Sequence, residues 1–99
     1  MSRGPDVATQ LARAFERSGP GVIVARSEST PWASVTFSGA RHRLTIEARA
    51  TPGLDRWLAG LPEAEIALRG HLVADLTVAG LDLSDGRATV TIEALTVED

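Results

Sequence analysis

The chain has no cysteine, lysine, tyrosine or asparagine, and aromatic residues make up only 4% of it. Without cysteine there is no disulfide framework, no thiolate metal site and no thiol nucleophile. No apolar run approaches the ~20 residues of a membrane-spanning helix, and no N-terminal signal pattern is seen. A basic block is missing too. The formal charge is −3, whereas nucleic-acid binders draw their affinity from neutralising phosphates. Neither nucleic acid nor membrane is expected as a partner.

What is present fits a single α+β domain over residues 1–99. The 99 residues are 43% hydrophobic and 23% charged, close to the soluble globular average and enough for one modest core. All ten basic residues are arginine. Arginine forms bidentate pairs with carboxylate and phosphate, but together with abundant alanine it also fits GC-rich codons. The expectation is a bacterial, cytoplasmic protein.

Pro5 and Asp6 open a first helix, with Val7, Leu11, Ala14, Phe15 and Ser18 along one face, and Gly19-Pro20-Gly21 stops it. Val22 to Ala25 reads as a short strand, Ser27 to Pro31 as a polar connection. Alternation from Trp32 to Ser38 and again from Arg43 to Arg49 predicts a hairpin turning at Gly39-Ala40. On that register His42 opposes Phe37, and Trp32 lies opposite Glu47. Thr51 caps a second helix carrying Leu54, Trp57, Leu58 and Leu61, ended by Pro62. Ile66 and Leu68 suggest another short strand. Asp85-Gly86 between two alternating runs is the strongest hairpin signal in the chain.

The stretch Val35–Ala48 is echoed 46 positions later by Leu81–Ala94, with Ser38, Arg41, Thr45, Ile46, Glu47 and Ala48 repeated identically. Ile23–Arg26 pairs with Ile66–Arg69 in the same scheme. Internal duplication and shared strand chemistry both produce such a pattern. The predicted fold is an antiparallel sheet of five to six strands with two helices on one face, in the order αβββαβββ or αβββαββ. That order resembles the one in small secretion chaperones, which implies an interaction role. Core candidates are Leu11, Phe15, Ile23, Val35, Phe37, Leu44, Ile46, Trp57, Leu58, Leu61, Ile66, Leu68, Val90 and Ile92.

In the last hairpin, pairing outward from Asp85-Gly86 sets Leu83 against Ala88, Leu81 against Val90 and Ala79 against Ile92. Nearer the base, Leu76 faces Leu95 and Ala74 faces Val97, on the opposite side of the ribbon. Apolar pairs on both sides of one long hairpin exceed what a single small core covers. A homodimer is therefore expected, with Trp32, Leu76, Leu95 and Val97 as interface candidates. A bulge at Gly80 would make the change of face local.

Chemistry-bearing patterns are sparse. Arg41, His42 and Arg43 form the one cationic cluster and are a candidate anion site. His71 and Asp75 lie about 13 Å apart on a regular strand, too far for a dyad. Glu47 and Glu93 occupy matching outward positions but read as surface partners of arginines. There is no zinc-like spacing, nucleophile elbow or phosphate loop, so no catalytic residue, metal or cofactor is expected. The leading expectation is a non-enzymatic protein-interaction module, adaptor or chaperone-like, acting as a homodimer through a sheet face or edge. The alternative is a small-molecule or anion-binding protein with a pocket between helices and sheet.

Overall fold

A computed structural model describes residues 6 to 99 of the chain; Pro5, read as a helix opener, lies outside them. The elements run α1 (Val7–Ser18), β1 (Ile23–Ala33), β2 (Ser38–Arg49), α2 (Pro52–Gly60), a 3₁₀ turn (Leu61–Glu63), β3 (His71–Ser84) and β4 (Arg87–Glu98). The four strands form one antiparallel sheet in the order β1-β2-β4-β3. The α+β class and the two helices agree with the sequence reading; five to six strands become four, and the order becomes αββαββ. The element order that resembled secretion chaperones is thereby changed.

Both helices begin where the local chemistry asks. Asp6 caps α1, its carboxylate accepting from the Thr9 amide at 2.8 Å, and that bond holds its pKa below the ordinary carboxylate value. Thr51 caps α2 by accepting from the Leu54 amide at 3.1 Å, with Pro52 next in line. Each cap satisfies an amide that the first helical turn leaves without a partner. Phe15 and Trp57 join the helices edge to face, with centroids 6.0 Å apart, and the Trp57 indole donates to Ser18 Oγ at 3.1 Å.

Strand alternation places Leu44, Ile46 and Ala48 of β2 beside Ala88, Val90, Ile92 and Ala94 of β4 on one face. The helices cover that face with Leu11, Phe15, Leu54 and Leu58, and all of these residues are buried. Ile66 and Leu68 pack against this core but form no strand; Leu68 makes only an isolated bridge to His71. Three expected core residues are exposed. Ile23 is 58% and Phe37 57% exposed, and Val35 is fully so. Ile23 lies on the opposite face, paired with Glu47. Val35 and Phe37 lie in the Ser34–Phe37 turn, where the Ser34 hydroxyl accepts from the Phe37 amide at 3.0 Å.

The first hairpin thus turns at residues 34–37, and Gly39-Ala40 belongs to β2. Ser27 to Pro31 is not a connection but the middle of an eleven-residue edge strand. The second hairpin turns at Asp85-Gly86, both at positive φ as a tight two-residue turn requires. From Ser84↔Arg87 to Leu81↔Val90 the register is the expected one. Then β3 bulges between Val78 and Gly80, and again between Val73 and Asp75. Leu76 therefore meets Ala94, Asp75 meets Leu95, and Leu72 meets Val97. Strand β4 keeps one face inward throughout, so the expected change of face in both strands does not occur. The bulges in β3 produce the odd spacing instead.

The sequence repeat has a structural counterpart, with different partners. The β2–β4 register matches Thr45 to Thr91. A half-turn about the sheet normal at that pair exchanges β2 with β4 and β1 with β3. It also carries the β1 bulge between Val24 and Arg26 onto the β3 bulge between Val78 and Gly80. The counterpart of Ile23–Arg26 is thus Thr77–Gly80, not Ile66–Arg69.

Candidate functional site

With both helices on one face, no described helix or loop covers the other face of the sheet. Its cross-strand rows follow from the register. At one end run Trp32, Gly39, Val97 and Leu72; next come Thr30, Arg41, Leu95 and Asp75; then Glu28, Arg43, Glu93 and Thr77. The end row is apolar. Leu72 is 58% exposed, while Trp32 and Val97 are half-buried. Glycine is required between them because a Cβ at Gly39 would run into the Thr96 carbonyl. The Trp32 indole nitrogen is buried without a hydrogen-bond partner among the described residues.

Charge on this face is sorted. The β1–β2 half carries Arg26, Arg41, Arg43 and Arg49 against Glu28 and Glu47, an excess of cations. The β4–β3 half carries Asp75, Asp82 and Glu93 against Arg87, an excess of anions. Among the described residues one ion pair crosses the seam, Arg43 to Glu93 at 3.1 Å. A shallow groove of about 310 Å³ runs along the seam beside Arg41, Arg43, Asp75 and Leu95.

Of the interface candidates, Trp32, Leu95 and Val97 share this face in adjacent rows. Leu76 does not; it is buried among the core residues. Sequence reasoning missed Leu72 and Asp75, because the two β3 bulges decide which side they take. Trp32 stands opposite Gly39, and Ile23 rather than Trp32 faces Glu47.

The cluster Arg41, His42, Arg43 is divided by the sheet. Both arginines point to the open face, and His42 points inward, only 2% exposed. His42 opposes Ser29 and Ala94, not Phe37. Its Nδ1 lies 2.7 Å from Ser29 Oγ and its Nε2 2.9 Å from Thr96 Oγ1. The Thr96 hydroxyl donates to the Ala40 carbonyl at 3.3 Å, so it accepts from Nε2–H, which leaves Nδ1 to accept from Ser29. This is the arrangement of a neutral ring. Burial lowers the His42 pKa from 6.5; the charge of His71 acts the same way, and Asp6 opposes it.

Little on the open face is arranged for bond-making chemistry. Glu47 and Glu93 sit on rows four strand positions apart, about 13 Å, too far to act on one atom. Among the described residues no group of three His, Asp or Glu side chains is placed to hold a metal ion, and no helix is long and apolar enough to cross a membrane. No family model matches the chain, and no curated protein or solved structure is significantly similar to it.

Proposed function

We propose that the chain is a protein-interaction module that works as a homodimer, with the open face of the sheet as its contact surface. An adaptor- or chaperone-like role falls within this reading. The observation that carries it is the sorted charge of that face beside an apolar end row. Two copies stacked face to face about a two-fold axis parallel to the strands bring the arginine-rich half of each over the carboxylate-rich half of the other. The same operation lays the apolar row of Trp32, Val97 and Leu72 over its own copy. A two-fold axis across the strands would oppose like charges, so the face selects one orientation.

The available area is adequate. Twelve-residue strands, four abreast, span roughly 40 by 19 Å, near the ~800 Å² per partner of a standard interface. The buried indole N–H of Trp32 costs about 1–3 kcal/mol as it stands. An acceptor supplied to this nitrogen by a partner would remove that cost.

Sedimentation equilibrium tests this reading. The unaltered chain is expected to be dimeric at micromolar concentration, and Leu95→Arg or Val97→Arg is expected to yield a folded monomer. A monomer at hundreds of micromolar, or a dimer indifferent to both substitutions, would refute it.

A further inference from the structure

We propose a second site, separate from the open face: the cleft between α1 and residues 67–69 binds a small molecule carrying a phosphate monoester. Gln10, Arg13 and Arg17 stand at i, i+3 and i+7 of α1 and so line one face of the helix. Ala67, Leu68 and Arg69 form the facing wall, and the cleft between the walls measures about 370 Å³. Its walls are tied together. The Arg69 amide donates to Gln10 Oε1 at 2.7 Å, and Leu68 packs against the hydrophobic core.

Three arginines therefore border one cleft, and among the described residues no carboxylate lines it. Among the described residues the ion pairs are Arg26–Glu28 and Arg43–Glu93; Arg13, Arg17 and Arg69 enter none. On the sheet, arginines alternate with acids. Here they do not, although the whole chain is acidic. Acids stand outside the cleft, Glu65 bordering an adjoining depression with Arg17, and Asp6 and Glu16 another with Arg13.

Guanidinium groups bind phosphate oxygens in pairs, with strong and directional hydrogen bonds. A dianion answers three unneutralised cations better than a carboxylate does. The volume lies within the range of small-ligand pockets and exceeds what a phosphate alone fills. Ala67 and Leu68 offer an apolar wall to the remainder of the molecule. The ligand class is thus a phosphate monoester with a small organic body.

The test is an amide NMR titration of the full chain at pH 7.5 with phenyl phosphate, inorganic phosphate and, at matched ionic strength, chloride. Saturable shifts are expected at Gln10, Ala67 and Arg69 with both phosphates, and phenyl phosphate should bind several-fold tighter. Arg17→Gln and Arg69→Gln, both at exposed positions, should each weaken binding about tenfold. Arg49→Gln, on the open face, should leave it unchanged. Chloride shifts equal to those of phosphate, indifference to both cleft substitutions, or shifts centred on Arg41 and Arg43 would each overturn the assignment. Because none of these readouts involves self-association, they stand or fall apart from the homodimer.

Discussion

Thr45 and Thr91 stand directly opposite one another in the central strand pair, 46 positions apart, the same interval at which the sequence repeats. Their pairing marks the point about which the two hairpins exchange. The single-residue bulges at Ala25 and Ala79 are related by that exchange. Each lets its edge strand return its side chains to the proper face.

Each bulge holds one residue more than the ladder needs, which makes its extra residue expendable. Deleting Ala79 leaves Gly80 opposite Thr91, Val78 opposite Ile92 and Leu76 opposite Ala94, and deleting Ala25 leaves Arg26 opposite Thr45 and Val24 opposite Ile46. Every side chain keeps its face, and the strand becomes regular. Each deletion should therefore cost no more than about 1 kcal/mol. Urea unfolding of the two variants measures this, and a loss of about 3 kcal/mol or more, the scale of turning buried Leu76 outward, would contradict the register.

Gly39→Ala should destabilise the chain by about 2–3 kcal/mol, the upper part of the range for overpacking. The added methyl meets the backbone carbonyl of Thr96, which cannot step aside without breaking the β2–β4 ladder. Gly60→Ala is the control, since a Cβ there meets nothing, and it should fall within about 0.5 kcal/mol of the parent.

His42 makes stability depend on pH in a defined window. Its folded pKa lies below the ordinary 6.5, so the unfolded chain takes up its proton first as pH falls. The stabilisation is whole above 6.5 and is lost as pH drops from there toward the folded pKa, by at most about 1.4 kcal/mol per pH unit. Asp6 acts lower. Its carboxylate pKa is depressed from 3.8, so its contribution is present above that value and fades below it. Thermal unfolding between pH 5 and 7.5 should show the histidine limb, and His42→Ala should remove it. That substitution should also cost about 2–4 kcal/mol, through the cavity it leaves and the loss of the bonds to Ser29 and Thr96.

The legible parts of the fold are those written in local chemistry. Asp6, Thr51, Pro52 and Asp85-Gly86 announce helix starts and a hairpin turn by mechanisms confined to a few residues, and each stands where expected. Strand β1 was hidden because it lies at the edge and is exposed almost throughout. A strand with polar residues on both sides leaves no alternation to read. Gly39 signalled a turn but serves a close approach to β4, a contact with residues nearly sixty positions away. The bulges in β3 cannot be seen by counting along an unbroken ladder, so the side taken by Leu76 was misjudged while Leu95 and Val97 were placed together correctly. The arginine cleft had no sequence signature. Arg69 borders the same cleft as Arg13 and Arg17 although it lies more than fifty positions away, its backbone fastened to Gln10.

The kinks in β1 and β3 also govern what the rims of the sheet will accept. An incoming strand needs a run of evenly spaced amides and carbonyls. Strand β3 is interrupted twice within fourteen residues, and β1 once, with Pro31 further along. Neither rim offers a long straight template, so the protein is guarded against sideways polymerisation. Recruitment by strand addition is disfavoured for the same reason, which leaves stacking on the broad side of the sheet as the open route to a companion.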